Sequence, residues 1–198
     1  MKVIGIVGGT GAGKTTALGE LAAFDVEILD CDVIYHELLL RSETLRRDIC
    51  QRFGDVFGAQ GLDRQKLGQV VFGDQQALEA LNHITFHHIV TEVHHRMAQA
   101  EQSQRAGVAI DAVALLESPL RADCQTVVAV VAPEEVRVRR IMAREGISEA
   151  YARKRVAAQK PESYFRTHCD YVLENDSTQE AFRQKARALF ARLMQESH

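Results

Sequence analysis

No two of the four cysteines, Cys31, Cys50, Cys124 and Cys169, stand at C-x-x-C spacing. That absence argues against a zinc knuckle and against a dithiol redox centre. There is no basic excess: the formal net charge is −3, with 26% charged residues. Nucleic acid is therefore not expected as a main partner, and no long acidic tail is present. No apolar run approaches the length that crosses a membrane. The N-terminus enters a strand-like run at once, without the basic region, apolar stretch and cleavage site of a signal peptide. Free thiols and no leader give the expectation of a cytoplasmic protein with no membrane partner. What is present is material for a core. The 198 residues, 46% of them hydrophobic, suit a single domain over 1–198 that carries inserted pieces.

The densest signal is Gly8-Gly9-Thr10-Gly11-Ala12-Gly13-Lys14-Thr15, which fits the phosphate-loop pattern G-x-x-x-x-G-K-[ST]. Its context supports it. Lys2 to Val7 is a short β-branched run, and Thr16 to Ala23 reads as a helix. The glycines let several backbone N–H groups turn toward one phosphate chain, and the positive end of the helix dipole faces the same anion. The expected nucleotide-contacting set is Gly8, Gly9, Thr10, Gly11, Ala12, Gly13, Lys14, Thr15 and Thr16. Lys14 brings a mobile charge to the β- and γ-phosphates, and Thr15 offers a hydroxyl to Mg²⁺.

Asp25 to Leu29 alternates like a second strand and runs into Asp30-Cys31-Asp32. Open α/β sheets bind ligands at the carboxyl ends of their strands. Asp32 is therefore read as functional and Asp30 as a cap or support for the helix that follows. The next clear strand, Val108 to Asp111, comes only after a long interval of helical periodicity with glycine breaks. Leu45, Ile49 and Phe53 share one helical face; Leu78, Leu81, Ile84 and Thr85 continue the period, as do Ile89, Val93 and Met97, with turn signals at Gly54, Gly58, Gly61 and Gly73. Residues 36–104 are read as a helical insert beside the catalytic face. His83, His87, His88, His94 and His95 crowd it, and with no third ligand of clear spacing a substrate-facing or solvated surface is preferred over zinc.

Asp111 ends its strand next to the phosphate loop. It suits either the water shell of Mg²⁺ or a turn cap. Thr126 to Val131 is an unbroken β-branched run, expected as a central strand. Arg137, Arg140 and Arg144 then fall on one helical face. Gly146 ends that helix, and a second runs from Ser148 to Ala158. With the phosphate loop present, the region 140–165 is read as a lid whose cations close on phosphates, not as a solvated charged face. Asp170 to Asn175 is a last short strand. Phe182, Ala186, Leu189, Phe190 and Leu193 mark the buried side of a closing helix.

Taken in order, these motifs resemble the dephospho-CoA kinases, a family of P-loop small-molecule kinases. The glycine loop matches. The family's Asp-Ala-Asp segment, whose second Asp is the expected base, is matched by Asp30-Cys31-Asp32. Its Asp-to-Glu segment is matched by Asp111 through Leu115 to Glu117, and its lid pattern by Arg140 through Arg144 to Gly146. Its Arg-Ile-x-x-Gln is matched by Arg155 through Gln159, and its late Asn, near the nucleotide base, by Asn175. Three positions depart from the pattern. His36 stands where the family usually has Arg, Phe86-His87 replaces His-Pro, and Val113-Ala114-Leu115 replaces Pro-Leu-Leu.

The resemblance implies an NMP-kinase-like, three-layer α/β/α P-loop core with a five-stranded parallel sheet, a helical insert and a helical lid. It implies ATP and Mg²⁺ as cofactors and transfer of phosphate to the ribose 3′-hydroxyl of dephospho-CoA. Asp32, Lys14, Arg140 and Arg144 are the expected catalytic residues, with Thr15 and Asp111 on the metal. The insert is expected to hold the pantetheine arm near His36, His83 and His87. Another small-molecule kinase, for nucleosides or sugars, and a non-catalytic nucleotide switch are the alternatives. A switch would need neither Asp32 nor the arginines.

Overall fold

The computed structural model describes residues 1–58 and 61–196. In chain order its elements are β1 (Lys2–Val7), α1 (Lys14–Ala22), β2 (Val26–Asp30), α2 (Cys31–Arg41), α3 (Glu43–Phe53), β3 (Phe57–Gly58), β4 (Gly61–Leu62), α4 (Arg64–Val71) and α5 (Gln75–Gln102). Then come β5 (Gly107–Asp111), β6 (Thr126–Val131), α6 (Glu134–Glu145), α7 (Glu149–Ala157), α8 (Glu162–His168), β7 (Tyr171–Glu174) and α9 (Gln179–Gln195). The chain divides into two compact units, one of Met1–Leu29 with Gln99–His198, the other of Asp30–Ala98.

The first unit is built on a five-stranded parallel sheet in the order β2-β5-β1-β6-β7. Its central strands are apolar at nearly every position because both faces are covered. Ile4, Ile6, Ala109, Val128, Val130 and Leu173 pack on one side against α1 and α9, where Leu21, Phe182 and Phe190 lie fully buried. On the other side Gly5 leaves room for Leu115 and Cys124, whose side chains would crowd a Cβ at 2.6 and 3.1 Å. The parallel register pairs Ile6 with Asp111, so the carboxyl ends of β1 and β5 open at the same edge. Sheet and helices together form the expected three-layer α/β/α core.

One strand boundary differs from the sequence reading. The second strand begins at Val26, because Asp25 takes a left-handed turn (φ 58°) and its carboxylate holds Arg105 at 2.6 Å. The helical period that continues through Leu78, Ile89 and Met97 is one 28-residue helix, α5, with neither Gly nor Pro inside it.

In the second unit, Asp30 accepts hydrogen bonds from the N–H groups of Asp32 and Val33 at 2.9 and 3.1 Å. It is the N-cap of α2, as its side chain and position suggested. The face read from Leu45, Ile49 and Phe53 is buried against Leu39, Leu67, Val71 and Ala77. The short antiparallel pair β3–β4 was not foreseen, since two residues are too few to display a period. Among the described residues no helix is long and apolar enough to cross a membrane.

The stripe on α9 makes stability of the first unit depend on large buried side chains. Phe190→Ala is expected to destabilise the protein by about 3–5 kcal/mol. Leu40→Ala, at a position 70% exposed, should shift it by no more than about 0.5 kcal/mol. Urea unfolding of the two variants checks both.

Candidate active site

The loop between β1 and α1 has a backbone that few side chains permit. Gly8 has φ 148°, and a Cβ there would collide with the Val130 carbonyl oxygen. Gly13, at φ 109°, caps α1 in the left-handed region, and a Cβ on it would strike the Asn175 amide. The first turn of α1 carries no acidic side chain and no side-chain cap. That leaves its N–H groups and positive dipole end suited to an anion.

The outer surface of the loop is tied down carbonyl by carbonyl. Arg137 Nε donates to the Thr10 carbonyl at 3.0 Å, and its Nη2 donates to Gln159 Oε1. Gln159 also accepts from the Thr10 N–H at 2.9 Å and donates to the Thr10 hydroxyl at 2.6 Å. Arg140 donates to the Gly11 and Ala12 carbonyls at 3.2 and 3.4 Å. Asn175 is buried. Its Nδ2 donates to the Ala12 carbonyl at 2.8 Å, and its Oδ1 accepts from Arg140 at 3.1 Å. With the Thr10 and Ala12 N–H groups taken by Gln159 and the Gly9 carbonyl, the remaining loop N–H groups are the ones that can meet an anion. Burial pulls the Arg137 and Arg140 guanidinium groups below the usual arginine value, with the Arg139 charge adding to it at Arg140. Both remain cations, since a guanidinium does not lose its proton in a protein.

Lys14 folds back to the Gly8 carbonyl at 3.1 Å and lies 4.0 Å from Asp111 Oδ1. The structure thus brings Lys14 and Asp111 together, with Thr15 next to Lys14 and Thr16 in the same turn of α1. A cleft of about 490 Å³ opens over Gly8, Gly9, Thr10 and Lys14, walled by Val113, Ala114, Phe165 and Lys160. At its rim Glu117 accepts from Tyr164 Oη at 2.8 Å and meets Lys160 at 3.2 Å. Burial pushes the Glu117 carboxyl up, but these two donors outweigh it and its net shift is downward.

The three lid-face arginines separate. Arg144 pairs with its neighbour Glu145 at 2.6 Å and is exposed. Arg137, read only as part of a helical face, is buried on the loop. Their identical spacing signal does not distinguish them. Asn175, expected near the base, has both ends of its amide engaged on the loop side. Asp32 lies in the other unit, in the first turn of α2, two residues beyond the end of β2 at Asp30. His83, His87 and His88 lie on α5, where His88 bonds Asp48 at 2.8 Å.

A glycine loop of this spacing, between a parallel strand and a helix, with a lysine and a strand-end aspartate at its mouth, defines a P-loop nucleotide-binding protein of the kinase type. The comparisons narrow the class. The CoaE family model, described as dephospho-CoA kinase, matches residues 2–181. A dephospho-CoA kinase of Latilactobacillus sakei is 34% identical over 88% of this chain and 87% of its own length. One of Thermobifida fusca is 30% identical over 100% of this chain and 99% of its own. The crystal structure of TT1252 from Thermus thermophilus superposes with a TM-score of 0.75 at 29% identity, covering 100% of this chain and 98% of that one. The chain belongs to the dephospho-CoA kinase family.

Removing the Arg137 donors strips the Thr10 carbonyl and Gln159 of their partner. Arg137→Met should destabilise the protein by about 1–3 kcal/mol and weaken ATP binding measured by calorimetry. Arg144→Met, which removes a pairing with the exposed Glu145, should leave stability within about 0.5 kcal/mol of wild type.

Proposed function

We propose that this protein transfers the γ-phosphate of ATP to the ribose 3′-hydroxyl of dephospho-CoA, giving coenzyme A in the last step of its biosynthesis. The observation that carries the reading is the phosphate cradle, Gly8 to Thr15 with Lys14 beside Asp111, in a chain of this family. The loop amides and the N-terminus of α1 bind the β- and γ-phosphates. Lys14 leaves the Gly8 carbonyl for them. The Thr15 hydroxyl and the Asp111 carboxylate are hard oxygen donors of the kind Mg²⁺ prefers, Asp111 acting through water. Bound MgATP supplies the electrophilic phosphorus and the metal's charge.

Asp32 accepts the proton of the acceptor hydroxyl. It follows β2 by two residues, and open α/β folds bind ligands beyond the carboxyl ends of their strands. Arg140 places a fixed cation against the loop. Arg144 joins it when the 140–165 lid closes, leaving Glu145 for the phosphates. Asn175 holds the nucleotide side of the loop in shape. The 36–104 insert holds the rest of the acceptor.

The roles separate kinetically. Asp32→Asn should bind ATP normally and lose about 10²-fold or more in kcat with dephospho-CoA. Lys14→Ala should lose transfer with its fold intact, read by circular dichroism. Asp111→Asn should need more Mg²⁺ for half-maximal rate. Near-normal turnover by Asp32→Asn would remove it as the base.

A further inference from the structure

His36 is held through both ring nitrogens. Its Nδ1 lies 2.7 Å from the Asp32 carbonyl oxygen, which can only accept, so Nδ1 carries a proton. Nε2 is then the acceptor, and Arg64 Nη2 donates to it at 3.2 Å. Arg64, at the start of α4, is exposed. Among the described residues it has no carboxylate in ion-pair range, and its one hydrogen-bonding partner is His36. Arg96 in the same unit behaves oppositely, held by Glu37 at 2.5 Å and Glu92 at 2.7 Å. The remaining N–H groups of Arg64 form an oriented fork, a shape that matches phosphate oxygens.

His36 and Arg64 both line a pocket of about 330 Å³. Its other walls are apolar, among them Leu39, Leu67, Val71, Leu81 and Phe72. Phe72 is 80% exposed, apolar surface that a ligand's arm would cover. Asp32 and His36 are four residues apart on α2 and share a face. Along this unit Asp32 neighbours His36 on α2, His36 holds the guanidinium fork, and the fork and ring both line the apolar pocket. Dephospho-CoA carries matching groups: a ribose hydroxyl, a diphosphate on the 5′ carbon of that ribose, then the pantetheine arm.

We propose that Arg64, positioned by His36, is the residue that binds the diphosphate of the acceptor and so selects a nucleoside diphosphate ester over a simple nucleoside. This rests on the dephospho-CoA reading above. The apolar pocket beside the fork takes the first part of the pantetheine arm.

The test separates the two claims by using fragments that cannot be phosphorylated at a ribose. 4′-Phosphopantetheine and pantetheine are titrated calorimetrically into wild type, Arg64→Gln and Arg64→Lys, with thermal melts confirming that each variant is folded. Wild type should bind 4′-phosphopantetheine about tenfold or more tightly than pantetheine, the size of one charge-assisted contact. Arg64→Gln should lose that preference, and Arg64→Lys should keep part of it. In turnover, Arg64→Gln should raise KM for dephospho-CoA by a similar factor and leave KM for ATP unchanged. Equal binding of the two fragments by wild type, or a preference that survives Arg64→Gln, overturns the proposal. Fragment discrimination without transfer to dephospho-CoA would sink the kinase reading and leave the anchor standing; transfer without discrimination would do the reverse.

Discussion

The phosphate loop depends on how its carbonyl groups are held from outside. A loop whose N–H groups converge on an anion must turn its C=O groups the other way, into protein, where each needs a donor. Arg137, Arg140 and Asn175 supply those donors to the Thr10, Gly11 and Ala12 carbonyls, and Gln159 brackets Thr10 through its N–H and hydroxyl. Two of the four are guanidinium groups partly taken out of water, a placement that lowers both from their usual value. The carbonyl dipoles offset that desolvation. The arrangement also puts two fixed positive charges behind the loop, where they favour an anion in front of it.

This bracing organises the first unit. The Arg137 and Arg140 contacts reach across to α6, the Gln159 contact to the residues just after α7, and the Asn175 contact to the end of β7. Val138 and Ile141 of α6 pack on Ala152 and Val156 of α7, so the helix that carries the arginines is itself anchored. The helices expected to act as a lid are thus already bonded to the loop through their near ends. In the other unit the cap at Asp30 and the His36 ring bond fix the first turn of α2, which bears Asp32. Capping by one aspartate leaves the other free of that task, and this is what makes the two acids of Asp30-Cys31-Asp32 different in kind.

Much of this was legible in the sequence, because it is written in local pattern. The loop, the apolar runs of β1 and β6, and the stripe on α9 each declare themselves within a few residues. The parallel order of the strands follows from their alternation with helices. What stayed hidden is long-range. Arg137 and Arg144 have the same helical spacing, and only the approach of α6 to a loop 127 residues earlier makes one a loop ligand and the other a surface residue. Lys160 and Tyr164 meet Glu117 across more than forty residues, with no motif linking them. The Arg64–His36 contact joins two helices of the insert and carries no periodic signal. The two-residue strands β3 and β4 are shorter than any window that reveals a period.

The central claim is chemical: a phosphate moves from ATP to one particular hydroxyl. The most direct measurement is phosphorus NMR of a mixture of the protein, ATP, Mg²⁺ and dephospho-CoA. The account predicts a new phosphomonoester resonance, coupled to the ribose H3′ proton, growing in step with ADP. No new ester, or an ester on the 2′-oxygen or on the pantetheine hydroxyl, would contradict it.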